Sequence, residues 1–243
     1  MTGWVAVAGL GPGADRLVTP EARAALEAAS DVIGYAPYVA RVPARPGLSL
    51  HASDNREELE RARHALALAR AGRRVVVVSS GDPGVFAMAS ALFEAAEEAP
   101  GDLPEIRVLP GITAMLAAAA RLGAPLGHDF CAINLSDNLK PWALIERRLR
   151  LAAQADFAMA FYNPRSRARP DGFARVLGVL REECGGGRLI SFARAVSTPD
   201  EALTTVTLAE ARPEMADMRT LVILGSSATR RVGPWVYTPR SAP

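Results

Sequence analysis

Three short stretches carry residue types suited to holding a small ligand, and each follows an apolar run. They are Gly9-Leu10-Gly11-Pro12-Gly13, Ser79-Ser80-Gly81-Asp82-Pro83-Gly84 and Pro110-Gly111-Ile112-Thr113-Ala114. Glycine lets a backbone approach a ligand closely, and proline fixes the turn that carries it. Asp82 is the one charged group in its turn, fit either to receive a ligand's donors or to cap the following helix. Thr113 poses the same choice at the head of an alanine-rich segment. Turns of this kind at the carboxyl ends of parallel strands are where open α/β sheets bind their ligands.

The first stretch, extended to Ala14, fits G-x-G-x-x-A, so a dinucleotide site has to be considered. Two features weigh against it. A pyrophosphate needs a turn that opens directly into a helix whose first amides hold it, yet Pro12 removes an amide and the helical pattern starts only at Thr19-Pro20-Glu21. The acidic residue about 20 positions on would have to be Asp31, which precedes its strand instead of following it. A nucleoside or amino-acid moiety suits such a turn better.

Other candidates are dispersed. Tyr35-Ala36-Pro37-Tyr38 places two aromatics beside a proline, either to line a pocket for a flat ligand or to cover a sheet edge. Arg165, Arg167 and Arg169 form either a solvated loop or a receptor for an acidic substrate. Two cysteines and three histidines, without metal-ligand spacing, offer no metal site. No Ser-His-Asp constellation is apparent.

The totals set outer limits. The 243 residues are 49% apolar and 6% aromatic, as in an Ala/Val/Leu-rich α/β protein of one large domain or two small ones. A net charge of +2 is too small to imply a nucleic-acid partner. Lys140 is the only lysine, so nearly all cations are arginines, whose fork matches carboxylates. No apolar run is long enough to span a membrane. The amino terminus has no basic segment leading into an apolar one, and the two distant cysteines suit a reducing compartment, so a cytoplasmic location is expected.

The elements that must position these turns read as alternating strands and helices. Strands are expected at Trp4 to Leu10, Val32 to Gly34, Val75 to Val78 and Ile106 to Leu109, with helices from Thr19, over Glu57 to Ala71, over Val85 to Glu98 and from Thr113 to Arg121. The Glu57 helix is introduced by Ser53-Asp54-Asn55-Arg56. Four consecutive valines can bury both faces only in a central parallel strand. After the Pro/Gly-punctuated stretch Gly123 to Phe130, a candidate domain boundary, strands follow at Cys131 to Leu135, Asp156 to Tyr162, Leu189 to Ala193, Ala202 to Thr207 and Thr220 to Leu224. Less helix separates the last of these, so a mixed sheet with antiparallel members is expected there.

The ordered set of three turns, joined by Tyr162-Asn163-Pro164, resembles the tetrapyrrole (corrin/porphyrin) methylases, over roughly residues 5–225. Within that family, Gly34-Tyr35-Ala36-Pro37-Tyr38, Leu135-Ser136-Asp137 with Pro141-Trp142, and Phe161 to Ser166 are similar to the branch that methylates C-17 of a precorrin in cobalamin biosynthesis. Ala36 stands where the uroporphyrinogen branch has an acidic residue.

The resemblance implies an α/β fold of two domains, 1–112 and 113–243. The N-terminal sheet would be mainly parallel, the C-terminal sheet mixed, with flanking helices and a cofactor cleft between the domains. It implies S-adenosylmethionine as cofactor, S-adenosylhomocysteine as its product, a tetrapyrrole (precorrin) substrate, no nucleic-acid or membrane partner, and a homodimer. Carried over by position, Gly11, Pro12, Gly81, Asp82, Pro83, Phe86, Thr113, Ala114 and Asn163 would bind the cofactor. Ala195, Val196 and Thr220 occupy matching late positions, although the family's usual glycine or asparagine near Ala195 is missing. Methyl transfer to precorrin-3B or its cobalt-bound counterpart, with ring contraction, would need alignment and exclusion of water for the transfer, and a proton donor or acceptor for the contraction. Asp129, Ser136, Asp137 and Tyr35 are the candidates by location. Methylation at another corrin carbon, a non-catalytic binding module and an NAD-binding oxidoreductase are the competing readings.

Overall fold

The computed structural model describes residues 3–54 and 57–241, and the chain divides into two compact units, Met1–Ala114 and Met115–Pro243. Asn55 and Arg56, in the stretch read as introducing the third helix, lie outside the described residues.

The first unit holds strands β1 (Trp4–Gly9), β2 (Asp31–Tyr35), β3 (Ser49–Ser53), β4 (Arg74–Ser79) and β5 (Glu105–Leu109), with helices α1 (Pro20–Ala28), α2 (Ala36–Val39), α3 (Glu58–Arg70) and α4 (Met88–Glu97) between them. The strand order is β3-β2-β4-β1-β5, and every pairing is parallel. β4 therefore lies inside the sheet, as its valines require. Val75 and Val77 join the core shared with α3 and α4, while Val76 and Val78 join Ala6, Ala8 and Ala22 on the opposite face. All four are fully buried, each contributing about 1.5–3 kcal/mol of transfer free energy.

Local chemistry sets the helix starts. Thr19 caps α1, its Oγ1 accepting from the Ala22 amide at 3.2 Å, with Pro20 at the first helical position. α4 begins at Met88 rather than Val85, because Phe86 takes a left-handed φ of 52° and Ala87 is extended. β3 was not anticipated: Ser-Leu-His-Ala-Ser is a half-exposed edge strand without an apolar run.

Helix α5 (Ala114–Leu122) leads into the second unit, which contains β6 (Gly123–Ala124), β7 (Phe130–Asn134), α6 (Trp142–Gln154), β8 (Ala158–Tyr162), α7 (Gly172–Cys184), β9 (Leu189–Arg194), β10 (Ala202–Thr207), β11 (Thr220–Leu224), β12 (Arg230–Val232) and β13 (Trp235–Tyr237). Its larger sheet has the order β10-β9-β11-β8-β7 and is mixed, as expected. β7 and β8 are parallel, β11 is antiparallel to both β8 and β9, and β10 is antiparallel to β9. Running against both neighbours, β11 leaves β7, β8 and β9 ending on the same side. Phe161, Phe173, Leu177 and Ile190 fill the core beneath α6 and α7. Gly123 to Phe130 lies inside this unit, where β6 pairs with β13 in a small second sheet.

Candidate functional site

In the first unit, β4, β1 and β5 are consecutive in the sheet. Parallel pairing brings their three following turns to one edge. The turns are interlocked through main chain. Gly11 donates its amide to the Gly81 carbonyl at 3.1 Å and receives the Gly81 amide at 2.9 Å, while the Leu10 amide reaches the Ser79 carbonyl at 2.8 Å. The packing is too close for side chains: a Cβ on Gly9 would sit 2.6 Å from the Gly81 oxygen and 2.7 Å from the Gly111 Cα. Gly11 and Gly81 also need positive φ, 65° and 64°.

Asp82 does not cap α4. Its Oδ1 accepts the Gly84 amide at 2.8 Å within its own turn, and its Oδ2 accepts the Gly111 amide at 3.0 Å from the turn after β5. The carboxylate thus ties the second turn to the third. Pro83 follows it, and the Pro83 carbonyl receives the Ala89 amide at 2.9 Å in the first turn of α4. Phe86 is half-exposed despite its left-handed backbone, a strain of order 1 kcal/mol that the surrounding structure must offset. Thr113 is buried and immediately precedes Ala114 at the start of α5.

The Gly9–Gly13 turn is organised by a residue that sequence reasoning missed. Arg41 donates Nη2 to the Leu10 carbonyl at 2.6 Å and to the Gly13 carbonyl at 3.1 Å, and Nη1 to the Gly11 carbonyl at 3.4 Å. Burial lowers its pKa, against the attraction of Asp15 and Tyr38. Arg41 lies just beyond α2, so it joins this turn to the segment that carries the tyrosines. Tyr35 and Tyr38 pack edge to face at 5.4 Å. Burial pushes the Tyr38 hydroxyl up, countered by a hydrogen bond with Ser80 of the second turn.

The dinucleotide reading finds no support in this geometry. A short 3-10 turn, Asp15–Leu17, and the Thr19 cap separate the glycine turn from α1, so no helix amides open onto it. Asp31 sits at the amino end of β2, buried against Arg73 (2.7 Å), His51 (2.9 Å) and Ser30 (2.7 Å). Close-packed glycine backbone, small turn residues and one carboxylate suit a nucleoside or amino-acid group.

In the second unit the named residues other than Asp129 also gather at one sheet end. Asn163 follows β8, and its Nδ2 donates to the Asn134 side-chain oxygen at 3.1 Å. Asn134, which the sequence did not single out, also receives the Ser136 amide at 3.0 Å. Arg169, from the predicted arginine run, is turned inward. It reaches the carbonyls of Leu135 at 3.3 Å and Asn163 at 3.4 Å, and Asp137 at 3.6 Å. Arg165 bonds the Pro170 carbonyl at 3.1 Å, and Arg167 is exposed. Ala195 and Val196 follow β9, and Thr220 begins β11; all three are buried. The Thr220 hydroxyl donates to Asp217 at 2.7 Å. Burial raises the Asp217 carboxyl, but the bonds from Thr220 and Arg194 outweigh it and hold it below its ordinary value.

Backbone strain marks the same places. Among the described residues, the non-glycine residues with positive φ are Phe86, Asp156, Asn163, Ala195 and Ser197. All but Asp156 sit in turns at the carboxyl ends of β4, β8 and β9. Ala195, at φ 48°, keeps the conformation that a glycine or asparagine would adopt at lower cost. Not every proposed catalytic group joins its cluster. Ser136 and Asp137 lie beyond β7, whereas Asp129 precedes it, at the opposite end of the sheet, with its side chain 79% exposed. Tyr35 belongs to the first unit. Among the described residues no group of three or more His, Cys, Asp or Glu could hold a metal ion, and no helix is long and apolar enough to cross a membrane.

A parallel sheet with three interlocked glycine turns, followed by a mixed sheet with strained turns at one end, defines a two-unit α/β ligand-binding protein. The chain belongs to the tetrapyrrole (corrin/porphyrin) methylases, whose sequence profile matches residues 5–212. A curated precorrin-3B C(17)-methyltransferase from Sinorhizobium sp is 51% identical over 247 residues, covering 99% of this chain and 97% of that protein. The crystal structure of the methyltransferase CobJ is 70% identical with a TM-score of 0.95, covering 98% of this chain and 100% of that one. Uroporphyrin-III C-methyl transferase from Thermus thermophilus, solved with S-adenyl homocysteine, shares the fold at 24% identity and a TM-score of 0.69, covering 92% and 97% of the two chains.

Proposed function

We propose that this protein is an S-adenosylmethionine-dependent C-methyltransferase acting at C-17 of precorrin-3B in cobalamin biosynthesis, with ring contraction accompanying the transfer. The observation that carries the reading is the interlocking of the three turns through Gly11, Gly81, Asp82 and Gly111. The substrate assignment draws on likeness, over nearly the full length of both chains, to a protein named for that reaction.

S-adenosylmethionine supplies a methyl group on a sulfonium, which an electron-rich ring carbon displaces in line. What the chain must provide is alignment and a dry site. In the first unit Gly11, Pro12, Gly81, Asp82, Pro83, Phe86, Thr113 and Ala114 are the proposed cofactor contacts. In the second, Asn163, Ala195, Val196 and Thr220 are the candidates for ligand contact. Ser136 and Asp137, beside Asn163 at the end of β7, are the favoured groups for moving the proton in ring contraction; Tyr35 is the first unit's candidate, and the remote Asp129 is the weakest. The working form is proposed to be a cytoplasmic homodimer.

The test is calorimetric titration of the purified protein with S-adenosylhomocysteine and, separately, with NAD, alongside sedimentation analysis. Micromolar binding of S-adenosylhomocysteine without NAD binding is expected from a dimer. NAD binding in its place would overturn the assignment, and a monomer would overturn the dimer.

A further inference from the structure

We infer that Arg41 is a positioning residue for the methyl donor, setting the shape of the Gly9–Gly13 turn by drawing three of its carbonyl oxygens onto one guanidinium. The inference rests on the reading of that turn as part of the cofactor site.

The geometry is specific to this position. The carbonyls of Leu10, Gly11 and Gly13 converge on Arg41 at 2.6, 3.4 and 3.1 Å. Three partial negative charges pointing at one place repel one another unless a cation sits among them. The Gly11 carbonyl also accepts the Gly81 amide at 2.9 Å, so the carbonyls of Leu10 and Gly13 depend most on Arg41, and part-buried carbonyls left without donors are costly. Among the described residues no carboxylate bonds the guanidinium directly: Asp15, whose charge acts on Arg41, pairs with Arg23 at 3.1 Å. The same turn is held from its other side by the reciprocal Gly11–Gly81 bonds. Arg41 and the second turn therefore fix the first turn from two directions. The carbonyls of Leu10 and Gly13 bond Arg41, and that of Gly11 is shared between Arg41 and the Gly81 amide, while the carbonyls of Gly9 and Pro12 are not among the Arg41 acceptors. The guanidinium also couples the turn to the chain just beyond Tyr35 and Tyr38, so order in one segment supports order in the other.

Arg45, four residues on, supplies an internal control. It too donates three hydrogen bonds to main-chain carbonyls, at 2.8 Å to Leu26, 3.0 Å to Glu27 and 2.8 Å to Ala29, but these belong to the end of α1 and its exit. Arg41→Met and Arg45→Met each delete three such bonds, and only the first touches the glycine turn.

The experiment measures S-adenosylhomocysteine affinity by calorimetry and unfolding by urea, on the full chain, for wild type, R41M, R41K and R45M. Expected is a loss of stability in both methionine variants, with binding weakened about ten- to hundredfold in R41M and unchanged within about twofold in R45M. R41K, whose ammonium reaches fewer of the carbonyls, should fall between wild type and R41M and carries the test if R41M does not fold. The Michaelis constant for S-adenosylmethionine should rise in step with the dissociation constant. Equal binding by R41K and wild type, or equal weakening in R41M and R45M, would overturn the role of Arg41. A wild-type protein that binds no S-adenosylhomocysteine would overturn the underlying reading of the turn as well.

Discussion

Asp82 and Gly111 are joined across two strands: the carboxylate in the turn after β4 accepts the main-chain amide in the turn after β5 at 3.0 Å. With its second oxygen on Gly84 at 2.8 Å, the side chain holds both turns in one arrangement. Such charge-assisted bonds are shorter and stronger than neutral ones.

Replacing Asp82 by alanine deletes both acceptors. Stability is expected to fall by roughly 2 kcal/mol, read from urea unfolding, and S-adenosylhomocysteine binding by at least about tenfold. Unchanged affinity in a destabilised variant would assign Asp82 to turn structure alone.

Gly111 tests how closely the turns must approach. A Cβ there would run into the Gly81 carbonyl oxygen and lie 2.9 Å from the Gly9 Cα. Main chain cannot yield as a flexible side chain does, so Gly111→Ala should cost about 3 kcal/mol or prevent folding. Gly172→Ala, at the start of α7 with nothing within 4 Å of the added carbon, should be neutral or stabilising by up to about 1 kcal/mol.

The acid limb of stability should carry the signature of Asp31. Burial opposes its ionisation, but hydrogen bonds from Arg73, His51 and Ser30 prevail and lower its pKa from 3.8 to about 2. A carboxyl whose folded pKa is depressed adds stability above its unfolded value. That stability is lost as the pH falls through the folded value. The contribution, roughly 2 kcal/mol, is therefore complete at pH 7 and disappears between about pH 4 and pH 2. Asp31→Asn should unfold at lower urea than wild type at pH 7, with the gap closing below about pH 3; a constant gap would contradict the ion-pair account.

Much of this organisation is legible in the chain. The four valines announce β4, and glycine spacing marks the three turns because main-chain approach leaves no alternative residue there. Less is legible where partners are main-chain atoms distant in sequence. Arg41 gives no local sign that it binds carbonyls 28 to 31 positions earlier, and Asn134 shows its role only once β7 and β8 are paired. β3 hides because an exposed edge strand needs no apolar alternation. The left-handed Ala195 is invisible for the opposite reason, since its residue type argues against the conformation it adopts.

The arginine run divides by contact. Arg169 is committed to Leu135, Asn163 and Asp137, so Arg169→Met should chiefly lower stability, by about 1–3 kcal/mol. If the run also receives substrate carboxylates, Arg165→Ala with Arg167→Ala should raise the Michaelis constant for the tetrapyrrole, and added salt should narrow the difference from wild type. A Michaelis constant that does not move would assign both to a solvated loop.

The most direct test of the proposed reaction is incubation of the protein with precorrin-3B and S-adenosylmethionine carrying a carbon-13 methyl, followed by carbon NMR of the corrinoid product. The account predicts one new labelled methyl, attached to C-17 of a ring-contracted macrocycle. A label at any other ring carbon, or none in the tetrapyrrole under conditions where S-adenosylhomocysteine binds, would contradict it.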